Sequence, residues 1–358
     1  MKRIIRLALL ALVCAIPLFT GCQPGTDNEE VAHLSHRYAS AEEGRQMYMS
    51  NTGYFNSLTQ NDIDWKSCST GKTIDEFKDF SASQIQDFTE EEKKAVDAVV
   101  TTIEARFDAL GIGLPETEEI CFVKSNMDNE GGAAGFTFGN TIYLSSFFVD
   151  ILSSLWQGKQ PPYPADYNEY IYLIAPCILA HELFHCLSRK DAAFRQRFYS
   201  LIGFTVMDHE VEFGPKVRNL ILANPDVERF DNWAEFTING QKRRCTMVGV
   251  YETDYAEVAK TDPGASFFDY SKCVLVPLDD PDTMIPAEQA SDFYQIVGSN
   301  SDYLIAAEEC IADNFGFMIG SGFNGHHDFI GGKLQFVPYQ TPELIRGIYE
   351  TMLELYPD

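Results

Sequence analysis

Basic residues are scarce in this 358-residue chain: 27 Lys and Arg stand against 53 Asp and Glu, a formal charge of −26. A surface of that sign repels nucleic-acid phosphates and anionic lipid head groups, which argues against both as partners. Internal repeats and low-complexity tracts are missing, so solenoids and arrays are excluded. No two cysteines form a CxxC pair. Past the first twenty residues, no apolar run is long enough to span a bilayer. What is plentiful is ordinary: 45% hydrophobic and 22% charged residues are the proportions of a folded globular protein.

The N-terminus reads as an address. Lys2, Arg3 and Arg6 form a basic patch, Leu7 to Phe19 an apolar one, and Thr20-Gly21-Cys22 closes it with small residues before a cysteine. The pattern resembles a bacterial lipoprotein signal peptide, which implies cleavage after Gly21 and a lipid on Cys22. An ordinary signal peptide or an uncleaved anchor is the alternative. The expected organisation is a leader over 1–21, a polar tether over 22–37 and a folded domain over 38–358. The protein is then expected outside the cytoplasm, tethered to a bacterial cell membrane at its start. Seven cysteines remain beyond Cys22. Seven is odd and the settings are apolar, so most are expected to be buried thiols and the domain is not a disulfide scaffold.

Local signals sketch an α+β chain. Thr89 and Glu92 form a capping box before Ala95, Val96, Val99, Val100, Ile103 and Phe107 at helical spacing, and Gly111 ends that run. Ile120–Val123 and the stretch from Gly135 to Leu144 read as strands. A buried helix follows over roughly 168–189, with Pro176 expected to kink or restart it. Between about 200 and 300 the pattern turns β-rich, with Asn239-Gly240 as a hairpin turn and a strand over Lys272–Pro277. The acidic loop Asp279-Asp280-Pro281-Asp282 lacks the spacing of a calcium loop and reads as a turn. A second key helix is expected over about 303–318, and Thr341-Pro342 opens a terminal amphipathic one.

The chemistry lies in His181-Glu182-Leu183-Phe184-His185, an HExxH motif. Four residues make slightly more than one helical turn, so both imidazoles project from one face and can hold one metal ion. Glu182, one step from the first histidine, can reach a metal-bound water as general base without ligating the metal. Zn²⁺ needs a third protein ligand. Glu309 and Asp313 are four apart on a predicted helix: the first can bind the metal, the second can accept the outer N–H of a ligating histidine. Glu308 has Ala312 at its own i+4 position and is expected to face solvent. Asp191, six residues after His185, is the competing third ligand. It would need Ser188 to turn the chain back, and Ser188-Arg189-Lys190 reads more simply as the last turn of a helix.

HExxH followed downstream by Glu-x-x-x-Asp-x-Phe-Gly resembles the gluzincin metallopeptidases, the thermolysin-like branch of the zincins. The resemblance implies His181, His185 and Glu309 as zinc ligands, Glu182 as base and Asp313 behind a ligand. It also implies a zincin-like α+β domain, with a mixed-sheet lobe carrying the HExxH helix and a second lobe carrying Glu309. It covers the two motif helices and, loosely, the strand before the first. The gap of more than a hundred residues between His185 and Glu309 departs from thermolysin, so the 200–300 insert must form its own wall or subdomain. No motif places the family's transition-state histidine or tyrosine; His326, His327, His209 and Tyr303 are candidates. The strand from Gly135 to Leu144 is either an edge for an extended substrate or an ordinary hairpin. The expected function is zinc-dependent hydrolysis of an extracytoplasmic peptide or protein. The alternatives are a zinc amidase on a cell-wall or other non-protein amide, and a binding lipoprotein that keeps the shell without turnover.

Overall fold

The computed structural model describes residues 33–357. The leader, Cys22 and the tether up to residue 32 lie outside the described residues. Five strands form a first, mixed sheet: β1 (His36–Tyr38), β2 (Ile85–Gln86), β3 (Ile120–Ser125), β4 (Gly135–Phe138) and β5 (Thr141–Ser145). Their order is β1-β3-β5-β4, with β2 pairing beside β1 on β3. β1, β3 and β5 are parallel, and β4 returns antiparallel along β5 to become the edge. The first strand starts at His36, two residues before the expected boundary at 38. Leu34 is already in the core and His36 pairs with Ile120, because an apolar residue and a strand register outweigh the polar composition around them.

The helix Glu90–Leu110 carries the expected capping box, and Gly111 takes the left-handed conformation at its end. The motif helix is longer than expected, Ala165–Lys190, and runs through Pro176 without a new start. A buried proline costs a helix roughly 3 kcal/mol, which the nearly complete burial of Ala175–Ser188 offsets. Contrary to the expectation that no later run could span a bilayer, this helix is apolar and long enough to do so by composition, but most of it is buried in the core.

The insert folds into a second, antiparallel sheet: β6 (Thr205–Val206), β7 (Asn232–Ile238), β8 (Gln241–Tyr251), β9 (Ser271–Pro277) and β10 (Ile285–Pro286). Asn239 and Gly240 both have positive φ at the β7–β8 turn, as a two-residue hairpin requires. In the acidic loop each carboxylate has a protein partner: Asp279 meets Arg243, Asp280 accepts from Thr283 and Asp282 accepts the Lys216 N–H. A small hairpin, β11 (Gly325–Ile330) and β12 (Lys333–Pro338), follows, and the chain closes with the helix Pro342–Leu355. Thr341 does not cap that helix by its side chain; its hydroxyl accepts the Ser299 N–H instead. The seven described cysteines are free thiols, five of them buried.

The glutamate helix, Ala307–Ser321, starts later than expected and lies against the motif helix inside one continuous core. Glycines permit that contact. A Cβ on Gly316 would stand 2.5 Å from the Cys177 carbonyl oxygen, and one on Gly320 would stand 2.4 Å from Cys177 Sγ. Close packing here sets the distance between the two sets of site residues.

Candidate metal centre

His181 and His185 project from one face of the motif helix, with ring centroids 4.8 Å apart. Each ring is oriented by a carboxylate of the glutamate helix. His181 Nδ1 lies 2.8 Å from Asp313 Oδ1, and His185 Nδ1 lies 2.8 Å from Glu308 Oε1. In neutral rings with Nδ1–H donating outward, each Nε2 would present a lone pair inward. They converge on Glu309 Oε2, at 3.1 Å from His181 and 3.7 Å from His185.

Glu308 corrects an expectation. It is buried, not solvated: besides His185 it accepts hydrogen bonds from Ser188 Oγ and Tyr199 Oη. Looking only along its own helix, to Ala312, misses partners supplied by two other segments. Ser188 sits inside the motif helix, so no turn brings Asp191 back. Asp191 caps the next helix by accepting the Ala193 N–H at 2.8 Å.

Glu182 is buried beneath the edge strand, where its Oε2 accepts Thr137 Oγ1–H at 2.7 Å. Gly135 makes room for it, since a Cβ there would stand 2.9 Å from Glu182 Oε1. Burial pushes the Glu182 carboxyl up to about 7, against the opposing pull of His181 and Thr137. For His181 burial works downward, but Asp313 and Glu309 hold its imidazolium well above the ordinary value. His185 is held well below it by burial.

Sequence reasoning missed the loop half of the site. Asn224 donates to Glu309 Oε1 and to Tyr303 Oη. Asp226 accepts the Thr137 N–H at 2.7 Å, and its Oδ1 lies 3.8 Å from His185 Nε2. Burial near Glu182 and Glu309 holds the Asp226 carboxyl well above the usual range. The loop is pinned from several sides: Asp62 accepts the Ala223 N–H, and Arg189 donates to the carbonyls of Pro225 and Asp226. The only local signal was Asn224-Pro225, a turn dipeptide with no spacing relation to the motif.

A cleft of about 660 Å³ opens over these groups. Of the transition-state candidates, Tyr303, His326 and His327 line it, and His326 stacks on Phe317 at 4.2 Å. His209 does not; it is exposed and paired with Asp208.

The donor set fits a divalent metal. His185 Nε2 is fully buried with no hydrogen-bond partner, a costly state unless something else engages it, and the polar neighbours of buried Glu309 Oε2 are the two Nε2 atoms. His181, His185 and Glu309 form a group whose ligand atoms lie within 4.8 Å of one another. Ligand atoms on a tetrahedral zinc with bonds of about 2.0–2.1 Å stand roughly 3.3 Å apart, close to the spacings here. A second group, Glu182, His185 and Asp226, shares the His185 nitrogen. Comparison with protein-family models, curated proteins and solved structures finds no match for this chain.

Proposed function

We propose that this chain is a zinc-dependent peptidase of gluzincin type, acting outside the cytoplasm and held to a membrane by a lipid on Cys22. The single observation that carries the reading is the convergence of two histidine nitrogens, His181 Nε2 and the buried, unpartnered His185 Nε2, on the buried Glu309 Oε2. Those three residues would hold the ion. A zinc ion bound there supplies Lewis acidity, polarising the scissile carbonyl and making water a nucleophile near neutral pH.

The protein's own groups do the rest. Asp313 and Glu308 hold the imidazoles in the tautomer that presents Nε2. Asn224 donates to Glu309 Oε1, leaving Oε2 turned toward the two histidines. Glu182 is placed to take a proton from the attacking water and hand it to the departing nitrogen. The Thr137 hydroxyl orients its carboxylate, and Gly135 lets that carboxylate approach the edge strand. The edge around Ala133–Gly135, which lines the cleft, gives an extended peptide main-chain groups beside the base.

Zinc content after dialysis and digestion of casein, for wild type and Glu182→Gln, test the reading together. One zinc per chain in both proteins is expected, with hydrolysis lost by several orders of magnitude in the variant. Equal activity in Glu182→Gln would end the mechanism, and a metal-free active wild type would end the assignment.

A further inference from the structure

The free edge of the first sheet is interrupted. In an antiparallel pair every second residue turns its N–H and C=O away from the neighbouring strand. The Ala134 carbonyl accepts the Ser145 N–H at 2.9 Å, so Gly135 and Thr137 are the residues that face outward. At Thr137 that outward N–H is already taken by Asp226 Oδ1, 2.7 Å away. The stretch of edge open to a substrate is therefore Ala133–Gly135, which lines the cleft, and it ends at a carboxylate. One oxygen of Asp226, one of Glu182 and a nitrogen of His185 lie within 4.8 Å of one another. The wall at the end of the edge is thus also beside the base.

Charge decides which end of a peptide meets that wall. The cleft is lined by six acidic residues, Glu182, Asp226, Asp302, Glu309, Asp313 and Asp328, and by no Lys or Arg. Arg189 approaches Asp226 from outside the cleft and is engaged with Glu228 and the loop carbonyls. A substrate α-carboxylate would find no counter-charge among these groups, whereas an α-ammonium would bring to Asp226 the positive charge that favours its ionised form against burial, Glu182 and Glu309.

Resting on the peptidase reading above, we propose that the enzyme is an aminopeptidase in which Asp226 binds the free α-ammonium of a peptide. An α-nitrogen is two bonds from its own residue's carbonyl carbon. Anchoring it on Asp226 therefore brings the first peptide bond, not a later one, to Glu182. Water's oxygen bonds to that carbonyl carbon, the C–N bond breaks, and Glu182 passes the water proton to the departing nitrogen. One amino acid and a peptide shorter by one residue leave.

The test uses a ten-residue peptide of alanine, leucine and glycine, with its N-terminus free or acetylated, and zinc-loaded full-length protein. Release of single residues from the free peptide is expected, with the acetylated form cleaved at least about 100-fold more slowly. Asp226→Asn keeps an acceptor for the Thr137 N–H and removes the charge. It should lower kcat/KM on the free peptide by about 10- to 100-fold more than on the acetylated one, the range for a hydrogen bond to a charged group. In the Glu182→Gln background, calorimetry should show the free peptide binding more tightly than the acetylated one, a preference that Asp226→Asn removes. Internal cleavage of the acetylated peptide at the rate of the free one would overturn the aminopeptidase proposal and leave the peptidase reading standing. A preference for the free peptide that survives Asp226→Asn would overturn the role of Asp226. Failure to cleave either peptide would overturn both.

Discussion

The site has two halves of different origin. His181, Glu182, His185, Glu308, Glu309 and Asp313 come from two helices packed on each other, while Thr137, Asn224 and Asp226 come from a strand and a loop. On a helix, spacing is geometry: residues four apart share a face whatever surrounds them. In the loop, geometry comes from distant anchors such as Asp62 and Arg189, and spacing along the chain says nothing about it. The helical half can therefore be read from a motif, whereas the loop half must be seen folded.

The largest expected effect breaks the helical half outright. Glu309→Ala should abolish tight zinc binding, measured as metal content after dialysis, while Asp191→Ala, whose carboxylate only caps a helix, should leave it intact. Loss of metal in Asp191→Ala alone would replace the gluzincin assignment by one in which the chain turns back after His185. Next comes the spacing between the helices. Gly316→Val would push against the Cys177 carbonyl. It should lower unfolding stability by about 1–3 kcal/mol or more, as overpacking does, and weaken zinc binding with it. Denaturant midpoints and zinc titrations read both effects.

Smaller effects sharpen the contrast. Asp313→Ala and Glu308→Ala should each weaken zinc affinity by roughly 10- to 100-fold, as loss of a histidine's carboxylate partner does. Glu308 is the sharper case, because the sequence marks it as solvent-facing and the fold buries it against His185. An unchanged affinity in Glu308→Ala would return it to the role of a bystander.

The smallest effect lies in the insert, far from the chemistry. Burial alone would raise the Asp292 carboxyl, but hydrogen bonds from Thr237 and Lys242 bring it from 3.8 down to about 2. A carboxyl depressed in the folded state stabilises above its unfolded pKa and loses that contribution as pH falls through the folded one. Asp292→Asn should cost about 1 kcal/mol near neutral pH, and the difference from wild type should fade between about pH 4 and pH 2. Urea midpoints across that range check it.

What was legible follows the same division. The Thr89–Glu92 capping box, the Asn239-Gly240 turn and the HExxH helix are local patterns, and each appears where the spacing places it. The pairing of Asp313 with His181 is present as well, since i and i+4 on one helix keep Asp313 and Glu309 on a common face. Glu308 was misread because its partners Ser188, Tyr199 and His185 lie more than a hundred residues away. Pro176 opens no new helix, because burial outweighs a local rule. Asp226 carried no readable signal, since only the pairing of β4 with β5 leaves the Thr137 N–H pointing at it.

The most direct test of the central claim is the zinc-edge X-ray absorption spectrum of the zinc-loaded protein, recorded for wild type and Glu309→Ala. The account predicts a shell of nitrogen and oxygen at about 2.0–2.1 Å with imidazole scattering and no sulfur near 2.3 Å, present in wild type and lost or rebuilt in the variant. An identical shell in both proteins, or a sulfur-containing one, would contradict the assignment of His181, His185 and Glu309.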